Sequence, residues 1–442
     1  MMGSGSVAAG LVATGCASAG SSPAATRPIT RGGDEGSPGP FASLAGFCDG
    51  VTPTSPDELA TRRARAAESL SAAGHGAVWM EPGPSMVYFT GVRWSRSERP
   101  LLACLTSGGD LGFVSPAFEG RTLEERLEAG GLAGGQLPVT LWDEHVSPYD
   151  QAAALARRLG VQDRPAQLER TVRSFIRSGL EAAPVASAWP AVAAGDGIAE
   201  RTRRIKTSLE LARLRRATEA TKAALAQVAA AVQPGMSEAD VRALVVAAQR
   251  AAGLENIWAL VLFGANASYP HGTAQRRVLA EDDLVLVDTG GFLHGYASDV
   301  TRTWPATTAG RIDDARRRGF DVVLAAQSAA LERIVAGSTG AEVDAAARAV
   351  VAAAGFGADY ETFTHRLGHG IGLEVHEAPY MVRGASLPLQ PGMTMSDEPG
   401  LYLPGRWGIR IEDIVAVTDG APEVFGPRAV SLEDPFGAGA ST

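Results

Sequence analysis

The residues whose side chains could best take part in catalysis or metal binding lie mostly in the last third of the chain. His365, His369 and His376 fall within residues 364–377, where glycines separate them. Four acidic residues lie in or next to apolar runs that are typical of β-strands: Asp288, Asp299, Glu398 and Glu412. One imidazole with four carboxylates is a ligand set for two divalent cations, and it suits Mn²⁺, Co²⁺, Fe²⁺ or Zn²⁺.

Such a ligand set indicates hydrolysis. A water molecule between two cations about 3.5–4 Å apart becomes a hydroxide near neutral pH, and this hydroxide is the usual nucleophile of two-metal hydrolases. Further histidines nearby can stabilise an oxyanion and transfer protons. Each motif is common by itself in turns or on surfaces. The prediction therefore depends on their order, with each motif at a strand end or a glycine-rich turn.

The first two acids are predicted to lie on one hairpin. An apolar strand ends at Asp288, and an extended stretch that carries Asp299 follows. A bend about Leu293 and His294 places the two carboxylates opposite each other. Like charges in that arrangement are destabilising unless a cation lies between them.

A pair of helices is predicted before each pair of acids. Ser237 begins the second helix of the first pair, and a capping box at Thr339 begins the second helix of the other pair. His271 follows the first pair, and residues 364–377 follow the second. We interpret this recurrence as an internal duplication, in which two half-domains each contribute two carboxylates to one cleft.

The first half of the chain has no comparable cluster of residues. Apolar runs alternate with helical stretches over about residues 56–195, which predicts a smaller α/β domain before a catalytic domain at residues 200–430. Strands are expected at residues 77–80, 86–89 and 101–105.

Residues 1–50 are rich in Ala, Gly, Ser and Pro and are predicted to form a disordered tail. Residues 8–16 resemble the end of a bacterial lipoprotein signal, although no Lys or Arg precedes them. Two localisations follow: a cell-envelope lipoprotein anchored through Cys16 and tethered by the tail, or a cytoplasmic enzyme.

Composition narrows the class of protein. A chain of 442 residues is long enough for two domains. The formal net charge of −9 argues against nucleic acid as a partner, because phosphate binding needs a basic face. No apolar run is long enough for a membrane-spanning helix. The three cysteines have no metal-ligand spacing, so neither a thiolate metal site nor a disulfide framework is expected.

Taken together, the motifs resemble the pita-bread metallopeptidases, in the proline-specific branch of Xaa-Pro aminopeptidases and Xaa-Pro dipeptidases (prolidases). The motifs of the catalytic part are residues 287–290, 298–303, 365–372, 396–400 and 410–413. Residues 88–91 and 97–100 resemble the creatinase-type N-terminal domain, and residues 204–207 resemble the domain junction. The resemblance covers about residues 56–425.

The resemblance implies an α+β protein. Its C-terminal domain would have the pita-bread (creatinase/aminopeptidase) fold with a pseudo-twofold internal repeat, after a smaller creatinase-type α/β domain. It also implies two divalent metal ions per subunit, with Mn²⁺ expected and Co²⁺, Zn²⁺ or Fe²⁺ as alternatives. A homodimer or homotetramer is the expected assembly.

The same resemblance assigns the five ligands. Asp288 would bind one metal ion, and His369 and Glu398 would bind the other. Asp299 and Glu412 would bridge both ions. No member of this set departs from the family pattern, which favours an active enzyme.

Roles in catalysis follow from the resemblance as well. Glu398 would also accept a proton from the bridging water. His271 would assist proton transfer at the scissile amide, and His376 would stabilise the tetrahedral intermediate. His365 and Arg410 would contact the substrate around its proline.

The predicted reaction is hydrolysis of the Xaa-Pro bond by a metal-bridging hydroxide. The substrate would be a dipeptide or a longer peptide with proline at the second position, so aminopeptidase and dipeptidase both stay open. Two alternatives use the same scaffold. One is a lyase or amidohydrolase acting on a small zwitterion, and the other is a non-catalytic homologue, against which the complete ligand set argues.

Overall fold

The computed structural model describes residues 39–132, 137–183, 197–307 and 311–437. Its helices begin where side-chain caps are available, and Ser55, Thr207, Ser237 and Thr339 each complete a capping box. The described α-helices are α1 Pro56–Ala72, α2 Pro84–Thr90, α3 Gly120–Ala129, α4 Pro148–Arg158, α5 Ser174–Ala182, α6 Ile198–Arg204, α7 Ser208–Ala231, α8 Glu238–Ala251, α9 Asp314–Leu331 and α10 Gly340–Ala353. None of these helices is long and apolar enough to cross a membrane.

The N-terminal part contains a mixed five-stranded sheet in the order β4-β3-β2-β1-β5. Its strands are β1 Ala77–Met80, β2 Leu102–Thr106, β3 Leu111–Pro116, β4 Val139–Trp142 and β5 Ala166–Leu168. Apolar side chains of α1, α2 and α3 pack against one face, and those of α4 and α5 pack against the other. Helices on both faces of a sheet are the expected α/β arrangement.

The strand predicted at residues 86–89 is wrong, because these residues lie in α2. Pro84 occupies the first turn of this helix, and Gly91 ends it in the left-handed region with φ 71°. A short apolar run that is buried on nearly every side has no periodicity to distinguish a helix from a strand.

The C-terminal part contains a four-stranded sheet, a five-stranded sheet and a separate hairpin. The first has β6 Glu255–Phe263, β7 Leu284–Leu293, β8 Tyr296–Ala297 and β9 Val300–Pro305, with β7 paired to each of the other three. The second has the order β11-β10-β12-β15-β16 and comprises β10 Gly368–Gly370, β11 Glu377–Met381, β12 Thr394–Asp397, β15 Asp413–Ala416 and β16 Glu423–Val424. A separate hairpin pairs β13 Gly400–Leu403 with β14 Trp407–Arg410.

The two halves of this part repeat one local arrangement. Ser237, which caps α8, forms an isolated β-bridge with Val278 ahead of β7. Thr339, which caps α10, forms the equivalent bridge with Pro388 ahead of β12. In each half a helix pair therefore connects to a strand next to the predicted metal ligands, as the interpretation of an internal duplication expects.

The hairpin of the first half is present, but its predicted bend is one residue too early. The turn lies at His294 and Gly295, both with positive φ (50° and 91°), as a tight two-residue hairpin turn requires. Asp288 therefore pairs with Thr301. Asp299 takes the diagonal position on the same face of the sheet instead of the position directly opposite Asp288.

The predicted disordered tail is wrong for its last ten residues. Phe41, Leu44 and Cys48 are buried in the hydrophobic cluster that also contains residues of α7 and α8. These three apolar side chains recur at helix-like spacing, so the segment can bury one face despite its polar surroundings.

Residues 1–38, including Cys16, lie outside the described residues, so the lipid anchor stays a prediction. The described chain from Phe41 onward forms one compact unit. The predicted boundary between residues 195 and 200 also stays a prediction.

Candidate active site

One cavity of 780 Å³ brings together all nine residues that the sequence singled out. Both halves of the C-terminal part contribute to it. The lining residues are Trp258, Leu260, His271, Asp288, Asp299, His365, Arg366, His369, Val375, His376, Glu398, Arg410 and Glu412. Sequence reasoning missed Trp258, Leu260, Arg366 and Val375, because none has a local signal beyond being apolar or basic.

The predicted ligands lie at strand ends or in strands, where neighbouring chains approach closely. Gly290 and Gly368 make this approach possible in the two halves. A Cβ atom on Gly290 would lie 1.9 Å from the carbonyl oxygen of Ser298, and one on Gly368 would lie 2.0 Å from that of Ser396. Both glycines therefore allow the ligand-bearing strands to pack without a side chain between them.

A buried cluster of potential ligands joins the two halves. Asp299, His369 and Glu412 each offer one ligand atom, and these atoms lie within 4.8 Å of one another. His369 Nε2 is also 3.2 Å from Glu398 Oε1. His369 Nδ1 lies 3.2 Å from the carbonyl oxygen of Gly370, which can only accept, so Nδ1 carries a hydrogen. Nε2 then faces the carboxylates and can bind a cation.

The carboxylates of this cluster fit a divalent cation. Asp288 Oδ1, Asp299 Oδ1 and Glu412 Oε1 are buried and have no hydrogen-bond partner among the described residues. Burial raises the pKa of Asp299 and Glu412 well above the usual range, and the charge of neighbouring carboxylates raises it further. Buried oxygens without partners are costly, and oxygen-rich sites with one imidazole suit divalent metals.

Glu398 differs from the other carboxylates. Burial raises its pKa, but the hydrogen bond from His369 and the charges of His369 and His365 outweigh burial and bring the pKa to about 2. Ser396 Oγ accepts from the backbone N–H of His369 at 3.0 Å and donates to Glu398 Oε1 at 3.0 Å. The hydroxyl group of Ser396 therefore helps to fix the positions of both His369 and Glu398.

Thr301 and Arg410 hold one carboxylate from each half of the C-terminal part. Thr301 Oγ1 donates to Glu412 Oε2 at 2.7 Å and accepts from Arg410 Nε at 3.1 Å. Arg410 Nη2 also forms an ion pair with Asp288. Sequence reasoning missed Thr301, although it lies two residues after Asp299 in the same extended stretch.

A chain of hydrogen bonds fixes His365 at the cavity wall. Arg410 Nη1 donates to Tyr402 Oη at 2.8 Å, and the tyrosine lies 2.8 Å from His365 Nε2. His365 Nδ1 donates to the carbonyl oxygen of Arg366 at 2.7 Å. Burial lowers the pKa of His365 to about 4, so this imidazole is neutral near pH 7 and accepts from Tyr402. Tyr402 has no motif of its own in the sequence, because it arrives from the separate β13–β14 hairpin.

The remaining two histidines lie on the open side. The ring of His376 packs against that of His369 in a tilted arrangement, with ring centroids 4.1 Å apart. Burial and the nearby charge of His369 lower the pKa of His376 to about 4. His271 is exposed and lines the same cavity. A buried carboxylate cluster flanked by the neutral imidazoles of His365 and His376 defines this site as that of a metal-dependent hydrolase.

Comparisons with known proteins agree with this class. Residues 212–419 match Metallopeptidase family M24. A probable dipeptidase, PepE, of Mycobacterium tuberculosis is 38% identical over 370 residues, which are 83% of this chain and 94% of the relative. The chain therefore belongs to metallopeptidase family M24, whose members depend on divalent metal ions.

Solved structures confirm the predicted fold. The dipeptidase PepE from Mycobacterium ulcerans superposes with a TM-score of 0.77 at 34% identity, covering 86% of this chain and 99% of that one. An Xaa-Pro dipeptidase from Bacillus anthracis superposes with a TM-score of 0.70 at 28% identity, covering 83% and 97%. The α+β pita-bread architecture with an N-terminal domain and the predicted enzyme class, a metallopeptidase, are thus both confirmed.

Proposed function

We propose that this enzyme is an exopeptidase that hydrolyses the Xaa-Pro bond in dipeptides or at the N-terminus of longer peptides. The observation that carries the proposal is the buried cluster of Asp299, His369 and Glu412, which lies beside two neutral imidazoles in one cavity. The name of the Bacillus anthracis relative, Xaa-Pro dipeptidase, supports proline as the second residue of the substrate.

The proposed ligands are those that the sequence predicts. Two divalent ions, with Mn²⁺ expected, would be held by Asp288, Asp299, His369, Glu398 and Glu412. When bound, such ions supply a lowered pKa for water and polarisation of the scissile carbonyl group.

The chain's own residues then handle protons and charge. Glu398, with its pKa near 2, is ionised near neutral pH and is the proposed proton acceptor. His376 is neutral, and its ring N–H is the proposed hydrogen-bond donor to the oxyanion of the tetrahedral intermediate. His271, exposed to the same cavity, is the proposed proton donor to the departing amine.

An apolar part of the cavity supports proline recognition. Trp258, Leu260 and Val375 line it. The pyrrolidine ring of proline is apolar and its peptide nitrogen carries no hydrogen, so a site for it needs contact area and no acceptor at that nitrogen. His365 and Arg410 remain the predicted substrate contacts on the polar side.

Metal reconstitution with matched peptides tests this function. The apo-protein receives Mn²⁺, Co²⁺ or Zn²⁺ in turn, and hydrolysis of Ala-Pro, Ala-Pro-Ala and Ala-Ala is measured. We expect cleavage of at least one proline peptide and slower cleavage of Ala-Ala. Cleavage of Ala-Pro alone would assign a dipeptidase, whereas cleavage of both proline peptides would assign an aminopeptidase. If neither proline peptide is cleaved with any metal, the proposal is wrong.

Localisation and assembly remain separate proposals. A lipid on Cys16 would be detected by acyl labelling that disappears in Cys16→Ala, and labelling that persists would refute the anchor. A homodimer or homotetramer would be seen by light scattering on the purified chain.

A further inference from the structure

A buried ion cluster lies directly beside the loop that carries His376. Arg203, at the end of α6, donates through Nη2 to Glu377 Oε2 at 2.6 Å and to Glu374 Oε2 at 2.7 Å. Lys206 Nζ donates to the other oxygen of Glu377 at 2.6 Å. Both carboxylate oxygens of Glu377 are therefore bonded to basic side chains. Glu374 and Glu377 lie on either side of His376 in the sequence.

The cluster continues into the N-terminal part of the chain. Arg203 Nη1 donates to Ser85 Oγ at 3.2 Å, and Ser85 Oγ donates to Glu169 Oε1 at 3.1 Å. Ser85 lies in α2 and Glu169 follows β5, and both are buried. A continuous path of hydrogen bonds thus runs from the N-terminal sheet to the loop on either side of His376.

The charges of this cluster make it difficult to deform. Burial raises the pKa of Glu377, but the charges of Lys206 and Arg203 outweigh burial and hold that pKa below its usual value. The carboxylate is therefore ionised and fully compensated. Removing one of the two basic side chains leaves a buried charge unpaired, which is strongly destabilising. We therefore expect the loop of such a variant to move toward water.

His376 depends on this loop for its position. Its imidazole makes no hydrogen bond to any residue that the structure describes, and its nearest aromatic neighbour is His369, with ring centroids 4.1 Å apart. A side chain without partners takes its place from the backbone that carries it. That backbone is fixed on both sides by the bonds of Arg203 and Lys206 to Glu374 and Glu377.

We propose that Arg203, Lys206 and Glu377 are positioning residues for His376, and that Ser85 couples the N-terminal part of the chain to this function. The inference rests on the proposed role of His376 in the reaction. None of the four residues lines the cavity. They act by fixing the distance between the imidazole of His376 and the substrate, so their loss is expected to lower kcat more than it changes KM.

Hydrogen exchange tests the positioning without any turnover. Arg203→Gln and Ser85→Ala are compared with the parent protein, and Arg213→Gln is the matched control. Arg213, which is itself buried, forms a similar ion pair with the partly buried Glu58 at 2.8 Å, away from the cavity. We expect faster amide exchange over residues 371–377 in the first two variants only, together with a shifted imidazole NMR signal of His376. Unchanged exchange and an unchanged signal would overturn the proposal.

A double-mutant cycle then tests the link to catalysis. With Ala-Pro as substrate, Arg203→Gln should lower kcat about 10- to 100-fold, because a small misplacement of a reacting group has effects of that size. In a His376→Ala background the same change should lower kcat less than about twofold, since residues that act as a unit are not additive. Equal losses in both backgrounds would refute the proposal.

The two ideas fail separately. If the parent enzyme cleaves no proline peptide, the proposed function is wrong, while hydrogen exchange still decides whether the cluster positions His376. Should Arg203→Gln fail to fold, Ser85→Ala serves in both experiments, because it removes a single hydroxyl group from the same path.

Discussion

Asp299 Oδ2 lies 3.7 Å from His369 Nε2, although the first residue precedes β9 in one half of the catalytic part and the second lies in β10 of the other half. Each side chain is almost completely buried. Two half-domains therefore have to be in place before these atoms can meet. Replacing the side chain of Asp299 or of His369 should affect metal binding more than folding.

Asp299→Asn should lower metal affinity more than about 100-fold, which is the upper end of losses caused by changing an outer partner of a metal ligand. The amide is neutral and keeps the shape of the side chain, so the apo-protein should unfold at the same temperature or higher. Metal content after dialysis and thermal unfolding with and without Mn²⁺ measure both effects. Asp283→Asn is the control, because Asp283 is buried and paired with Arg277 outside the cavity. If Asp299→Asn retains metal as well as this control does, Asp299 is not a ligand.

The stabilisation by metal should increase with pH above about 6.5. The pKa values of Asp299 and Glu412 are raised in the folded apo-protein. Their contribution to the stability of the folded apo-protein is therefore fully present below the ordinary carboxyl pKa of about 4, and it is lost as the pH rises through the raised values.

Two histidines have the opposite effect on stability, because they destabilise the folded state as the pH falls. His365 and His376 have pKa values lowered to about 4, so acid destabilises the folded state between the unfolded value of about 6.5 and 4. Above that window these two histidines no longer change the stability of the folded state with pH. Thermal shifts caused by Mn²⁺ at pH 6.5, 7.25 and 8.0 measure the trend, and Asp299→Asn should flatten it. A shift that does not vary with pH in the parent protein would contradict the predicted repulsion.

Tyr402→Phe should weaken substrate binding and catalysis. Its hydroxyl group accepts from Arg410 and donates to His365. Its loss leaves His365 Nε2 without this donor, and leaves Arg410 Nη1 with only its longer hydrogen bond to the carbonyl oxygen of Pro270 at 3.3 Å. We expect a loss of about 1–3 kcal/mol in the free energy of unfolding and a fall in kcat/KM for Ala-Pro. Tyr88→Phe is the matched control, since that hydroxyl donates to the carbonyl oxygen of Thr202 away from the cavity. Equal kcat/KM in the two variants would remove His365 and its neighbours from substrate recognition.

Gly290→Ala should destabilise the protein and impair metal binding. The added methyl group would overlap the carbonyl oxygen of Ser298, which belongs to the chain segment that carries Asp299. Overpacking of this kind costs about 1–3 kcal/mol. Gly420→Ala is the control, because a methyl group there meets only Thr418 Oγ1 at 3.9 Å. Chemical unfolding and metal content measure the two consequences. Parent-like values for Gly290→Ala would show that the two strands can separate without cost.

The features that the sequence predicted correctly depend on local signals. The caps at Ser237 and Thr339 operate over three residues, and both begin helices as expected. Acids beside apolar runs were also recognisable, and Asp288 and Glu412 line the predicted cavity. The strand that was expected to end at Asp288 continues to Leu293. Where a signal was local but ambiguous, the prediction was less accurate, as in the hairpin whose turn at His294 lies one residue later than expected.

Features that depend on contacts between distant residues could not be predicted. Tyr402 reaches His365 only because the β13–β14 hairpin folds back on the cavity. Arg203 and Glu377 are 174 residues apart, and neither has a motif that names the other. The buried helix α2 lacked any periodicity, so only the packing around it determines its conformation.

The packing of Phe41, Leu44 and Cys48 against α7 and α8 has a practical consequence for shortening the enzyme. A deletion of N-terminal residues that stops before Phe41 would leave these three side chains packed against the helices. A deletion that continues through Cys48 would open their apolar side chains to water and favour aggregation. The shortest soluble version of this peptidase should therefore begin upstream of Phe41.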